Sequence, residues 1–94
     1  STSLEWLKEI IWLIENNGSC WLQTIGEPFM SKYNLYPMIS IVNVPKNRQM
    51  MNFLSLCNGR KLVEIARILR LSILDLISVV KVLKENNLIV IKVN

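Results

Sequence analysis

The chain has 94 residues, 51% apolar and 19% charged, with a net charge of +4. That suits one packed domain, or one and a half small ones; with three Gly and three Pro it excludes disordered or low-complexity chain. The longest apolar run, residues 10–14, is five residues. A bilayer span needs roughly 20, so no transmembrane helix is expected. No leader or signal peptide is read, and a start on Ser suits a processed chain or an excised domain.

Histidine is absent and Asp75 is the only aspartate, which removes His-dependent triads, His-ligated zinc and aspartate dyads. Cys20 and Cys57 match no metal spacing. They read as buried thiols in a reducing cytosol, with a disulfide as the alternative. The expectation is a cytoplasmic protein that is not an enzyme and has no cofactor or metal. Charge is uneven: residues 1–45 hold Lys8 and Lys32 against Glu5, Glu9, Glu15 and Glu27, a net of −2. Residues 46–94 hold nine Lys/Arg against Glu64, Asp75 and Glu85, a net of +6. A basic C-terminal half points to a phosphate backbone or an acidic protein partner.

In chain order, residues 3–16 predict a helix. Ser3 is the expected cap, Leu4, Trp6, Leu7, Ile10, Ile11, Leu13 and Ile14 share one half of the wheel, and Trp12 sits among the charges. Asn16-Asn17-Gly18 stops it. Residues 19–25 and 38–44 are strand candidates, the first broken by Gly26-Glu27-Pro28 and the second by Pro45. Phe29, Tyr33, Tyr36 and Pro37 between them read as plugs. The division falls near Pro45: residues 1–45 form an N-terminal extension of a helix and one or two strands, and residues 46–94 form a second unit.

That second unit predicts three helices and a strand. The first helix, about 47–57, turns Met50, Phe53, Leu54 and Cys57 to one side and ends at Asn58-Gly59. The second, about 61–69, has Leu62, Ile65, Ala66 and Leu69 inward and Lys61, Arg67 and Arg70 outward. After a corner at Leu71-Ser72, with Ser72 as cap, the third runs about 73–86 on Leu76, Val79, Val80 and Leu83. Asn86-Asn87 stops it, and residues 88–93 form a strand. The stretch Leu62-Val63-Glu64-Ile65-Ala66-Arg67-Ile68-Leu69-Arg70-Leu71-Ser72 resembles the second helix and turn of the winged helix-turn-helix family. Lys81-Val82-Leu83-Lys84-Glu85-Asn86-Asn87-Leu88-Ile89 resembles that family's exit from the recognition helix into the wing. The resemblance covers residues 48–93. It implies an α+β fold, with a winged helix-turn-helix module of three helices and a β-strand packed on the N-terminal helix and strands. At Asn17-Gly18 and Asn58-Gly59-Arg60 the chain also resembles PATAN-type regulatory domains of bacterial signalling proteins.

The resemblance implies binding of double-stranded DNA, with the third helix in the major groove and a role in transcription regulation or DNA architecture. Opposite that helix's core face lie Leu74, Ile77, Ser78, Lys81 and Glu85, so the positions best placed to touch bases are apolar. Arg48, Arg60, Lys61, Arg67, Arg70, Lys81 and Lys84, with Lys46, surround the second helix and suit phosphates without reading sequence. Two readings therefore stand. One is a DNA binder with weak base readout, its contacts drawn from those cations and Ser78. The other is a protein–protein interaction or dimerisation module that uses Trp12, Leu74 and Ile77. The large apolar content predicts a homodimer or a protein partner. A wing is a hairpin, so the second strand beside 88–93 must come from elsewhere or be absent.

Overall fold

A computed structural model of the protein describes residues 4–23 and 44–94, with the backbone alone for 44–47. The elements are α1 (Glu5–Glu15), β1 (Ser19–Leu22), α2 (Val44–Ser55), β2 (Asn58–Lys61), α3 (Leu62–Leu69), α4 (Ile73–Glu85) and β3 (Ile89–Lys92). The three strands form one antiparallel sheet in the order β2-β1-β3, so the fold is α+β.

The central strand comes from the N-terminal half. β3 pairs with β1 residue for residue, Ser19 with Lys92 through Leu22 with Ile89. This supplies the hairpin partner missing beside 88–93: β1 lies where the second strand of a wing would run. On its other edge β1 meets β2 at Ser19–Lys61 and Trp21–Asn58, with a shift between them. Two steps along β1 thus match three along β2, which bulges. Asn58-Gly59, expected as a turn closing the preceding helix, instead opens β2. Gly59 has φ 103°, and a Cβ there would stand 2.9 Å from the Trp21 ring, so both the backbone and the stacked indole require glycine.

One core joins the two halves. Ile10, Leu13 and Ile14 of α1 and Cys20 of β1 lie in the same buried cluster as Phe53, Leu62, Ile65, Leu76, Val80, Leu83 and Ile89. Every residue expected on the core face of the 73–86 helix is buried. Ile77 is buried as well, at 8% exposure, and this corrects its expected place on the outer face. It shares a stripe of α4 with Lys81 and Lys84, at i+4 and i+7, and α1 packs along that stripe. The sequence treated this side as solvent because nothing in α4 itself signals a fourth helix beside it.

Boundaries moved where flanking chemistry allowed two readings. α2 begins at Val44, three residues before the expected 47. Pro45, expected to end a strand, lies in its first turn, where a missing N–H costs nothing. The strand expected at 38–44 lies outside the described residues except for Val44, which is helical. The plugs Phe29, Tyr33, Tyr36 and Pro37 and the cap Ser3 also lie outside them. Leu4 is the N-cap of α1 and makes no side-chain cap bond.

Three helices end in the same way. Asn17, Arg70 and Asn87 each take a left-handed backbone, with φ of 57°, 57° and 56°. The next N–H then reaches back to a carbonyl one turn inside: Gly18 to Leu13, Leu71 to Ala66 and Leu88 to Leu83, at 2.8, 2.8 and 2.9 Å. This is the Schellman arrangement, which satisfies carbonyls the helix leaves open. Asn tolerates that backbone and Arg does so poorly.

Candidate nucleic-acid interface

The candidate interface lies at the corner between α3 and α4. Arg70 closes α3, and two residues later the Ser72 hydroxyl accepts the Asp75 N–H at 3.1 Å and caps α4, as expected. Asp75 also places a negative charge in the first turn of α4, where the helix dipole favours it. The corner encloses an open groove of about 360 Å³. Its apolar wall is Val63, Ala66, Leu71, Ile73 and Leu76, and Arg67 and Arg70 also line it. Both arginines are exposed.

The other cations expected at the site lie elsewhere. Lys61, at the N-cap of α3, and Arg60, on β2, lie at the opposite end of the helix, about 12 Å away along its axis. Arg60 donates to the Asn58 side-chain oxygen at 2.8 Å. Arg48 is exposed on α2, and Lys46 lies where only backbone is described. Lys81 and Lys84 are engaged with α1. The Lys81 ammonium sits 4.6 Å from the centre of the Trp6 ring and 3.7 Å from Glu85. Lys84 is paired with Glu9 of α1. Those residues line a second, smaller hollow between α1 and α4. Among the described residues, Lys81–Glu85 and Lys84–Glu9 are the only salt bridges. The corner thus gathers Arg67 and Arg70 and leaves the lysines of α4 outside it.

The first turns of α4 present Ile73, Leu74, Asp75 and Ser78 to solvent. Leu74 is 72% exposed, and Ile73 before it and Ile68 on α3 are half-exposed. Ile68 and Ile73 had not been singled out from the sequence. Ile68 follows a charged outer face, and Ile73 was read only as the first residue of a helix. Trp12 is 53% exposed on α1. Trp6 was also missed as a contact, because no spacing within either helix links it to Lys81.

Among the described residues no group of three or more His, Cys, Asp or Glu could hold a metal ion, and no helix is long and apolar enough to cross a membrane.

Residues 19–91 match a winged helix-turn-helix family. The match begins at β1, so it takes in the strand that completes the sheet and not only the residues 48–93 that carried the resemblance. Comparison with the curated proteins and with the solved structures finds no match. The helix-turn-helix corner, the wing-like pairing of β1 with β3 and a match over most of the chain agree, and the chain belongs to a winged helix-turn-helix family.

Proposed function

We propose that this protein binds double-stranded DNA without catalysis, as a regulatory or architectural factor in the cytoplasm, and that it holds DNA mainly by the phosphate backbone. The observation that carries this reading is Arg70. The two other helix ends of the same type use Asn, whereas this one places an Arg in a left-handed backbone beside Arg67. A long cation kept where Asn or Gly is easier to fold points to a use for its charge. Arg67 and Arg70 are the principal phosphate contacts in this reading, with Lys61, Arg60 and Arg48 as outlying ones. Base readout is weak. Leu74 and Ile73 offer contact to a thymine methyl, Ser78 offers one hydroxyl, and Asp75 repels phosphate. Lys81 and Lys84 serve α1 and contribute little.

A second reading has its own observation, the exposed Leu74 with the exposed Ile73 before it on α4. There the module binds a protein or a second copy of itself, with Trp12 of α1 as a further anchor. Ile77 drops out of that set because it is buried. The extension 1–45 and the module 46–94 act together in either reading, since β1 and α1 are built into the module's sheet and core.

Titrating salt against a random-sequence duplex separates the two. DNA binding by phosphate contacts requires an affinity that falls steeply as salt rises. If the duplex does not bind even at low salt, the interaction reading stands. Sedimentation tests the homodimer, which fails if only monomer is seen at high micromolar concentration.

A further inference from the structure

The chain's two cysteines lie 37 positions apart in sequence, yet their sulfurs stand 3.2 Å apart. Both are buried: Cys20 on the central strand β1 and Cys57 in the link from α2 to β2. The Cys20 thiol donates to the Cys57 sulfur, and the Cys57 thiol donates to the Phe53 carbonyl oxygen at 3.2 Å. An isolated buried Cys acts as a small hydrophobe. Two that meet from segments brought together only by the fold are placed to react with each other.

We infer that Cys20 and Cys57 are a covalent modification site, which a low-molecular-weight disulfide such as oxidised glutathione converts to an internal disulfide bond. The steps balance. The Cys57 thiolate attacks one sulfur of the oxidant, a Cys57–sulfur bond forms, and the oxidant's own S–S bond breaks. The first thiolate released takes up the proton that Cys57 gave up. Cys20 then loses its proton and attacks the Cys57 sulfur. The Cys20–Cys57 bond forms as the mixed disulfide breaks, and the second thiolate leaves with that proton. The pair is oxidised by two electrons and the oxidant is reduced by two.

Cys57 is the first of the pair to ionise. The hydrogen bond from Cys20 holds its thiol below the ordinary value, while that same bond, burial and the Cys57 charge push Cys20 up. Both sulfurs are shielded, so the oxidant reaches Cys57 only through a local opening of the α2–β2 link or of β1, and the reaction is slower than at a surface thiol. The bond would fasten β1, which among the described residues is the sheet's one strand from the N-terminal half, to the helix-turn-helix unit. α1, which directly precedes β1, would be held on α4 with it. The site does not depend on whether the ligand of the corner is DNA.

The test is intact mass measurement on the reduced wild-type protein, equilibrated with oxidised glutathione under native conditions and quenched in acid. The expected product has lost two hydrogens and carries no glutathione. Digestion without reductant should release the Cys20 and Cys57 peptides joined. The thermal midpoint of the oxidised protein should rise by about 10 °C, since the bond closes a long loop in the unfolded chain. Cys57→Ser should not lose the two hydrogens. A wild-type protein that keeps two free thiols at equilibrium overturns the inference. So does one that accumulates glutathione adducts or disulfide-linked dimers.

Discussion

The cations at the end of α3 and those along α4 keep different company. Arg67 and Arg70 stand exposed at an open groove, while Lys81 and Lys84 lie against Trp6 and Glu9 of α1. In sequence all four belong to one basic surface. The fold splits that surface because α1 covers the C-terminal half of α4 and leaves its first turns bare. Counting charge along a chain therefore overstates an interface whenever a distant segment returns to pack on it. Ile77 is buried on the stripe of α4 that it shares with Lys81 and Lys84, whereas Leu74, three residues earlier, is exposed.

The largest effect should come from that contrast on α4. Ile77→Ala removes core contacts and is expected to cost about 2–4 kcal/mol. Leu74→Ala should change stability by about 0.5 kcal/mol or less. Urea unfolding at constant slope measures both, and equal effects would break the account of where α1 sits. Next in size is the cap of α4. Ser72→Ala should cost about 1 kcal/mol by leaving the Asp75 N–H without its acceptor.

The turn at Arg70 gives a smaller effect of opposite sign. Arg70→Gly should stabilise the fold by about 0.5–1 kcal/mol, because glycine is at ease in the left-handed backbone. It should also weaken DNA binding. A stabilised variant with undiminished DNA affinity would remove the functional argument for that arginine. The least effect belongs to the pair with α1. Lys84→Met should cost about 0.5 kcal/mol or less, since half-exposed ion pairs contribute little. It should leave DNA affinity at moderate salt almost unchanged.

How legible each part was follows from how local its physics is. The helix-turn-helix corner could be read directly: Leu62, Ile65, Leu76, Val79, Val80 and Leu83 repeat at helical spacing, and Ser72 and the Asn87 stop are local signals. β1 was legible as a strand from Ser19-Cys20-Trp21-Leu22, but its place between β2 and β3 was not, because pairing depends on partners far along the chain. β2 was illegible. Asn58-Gly59-Arg60-Lys61 has turn chemistry and is a strand only because β1 offers it a ladder and Trp21 needs the space over Gly59. At the candidate site the basic residues could be named, but which of them converge could not. That was decided by α1 and by the left-handed turn at Arg70, whose signal would have been the absence of Asn or Gly at a helix end.

In the proposed mode of binding the α3 corner, not the basic length of α4, holds the phosphates. The most direct measurement is the salt dependence of affinity for one duplex by wild type, Arg67→Ala, Arg70→Ala and the Lys81→Ala/Lys84→Ala double variant. Each arginine change should weaken binding about equally on unrelated sequences and lower the slope of log affinity against log salt by roughly one unit. The double lysine variant should keep the wild-type slope. A slope that falls by about two units in the lysine variant and stays unchanged in the arginine variants would contradict the account.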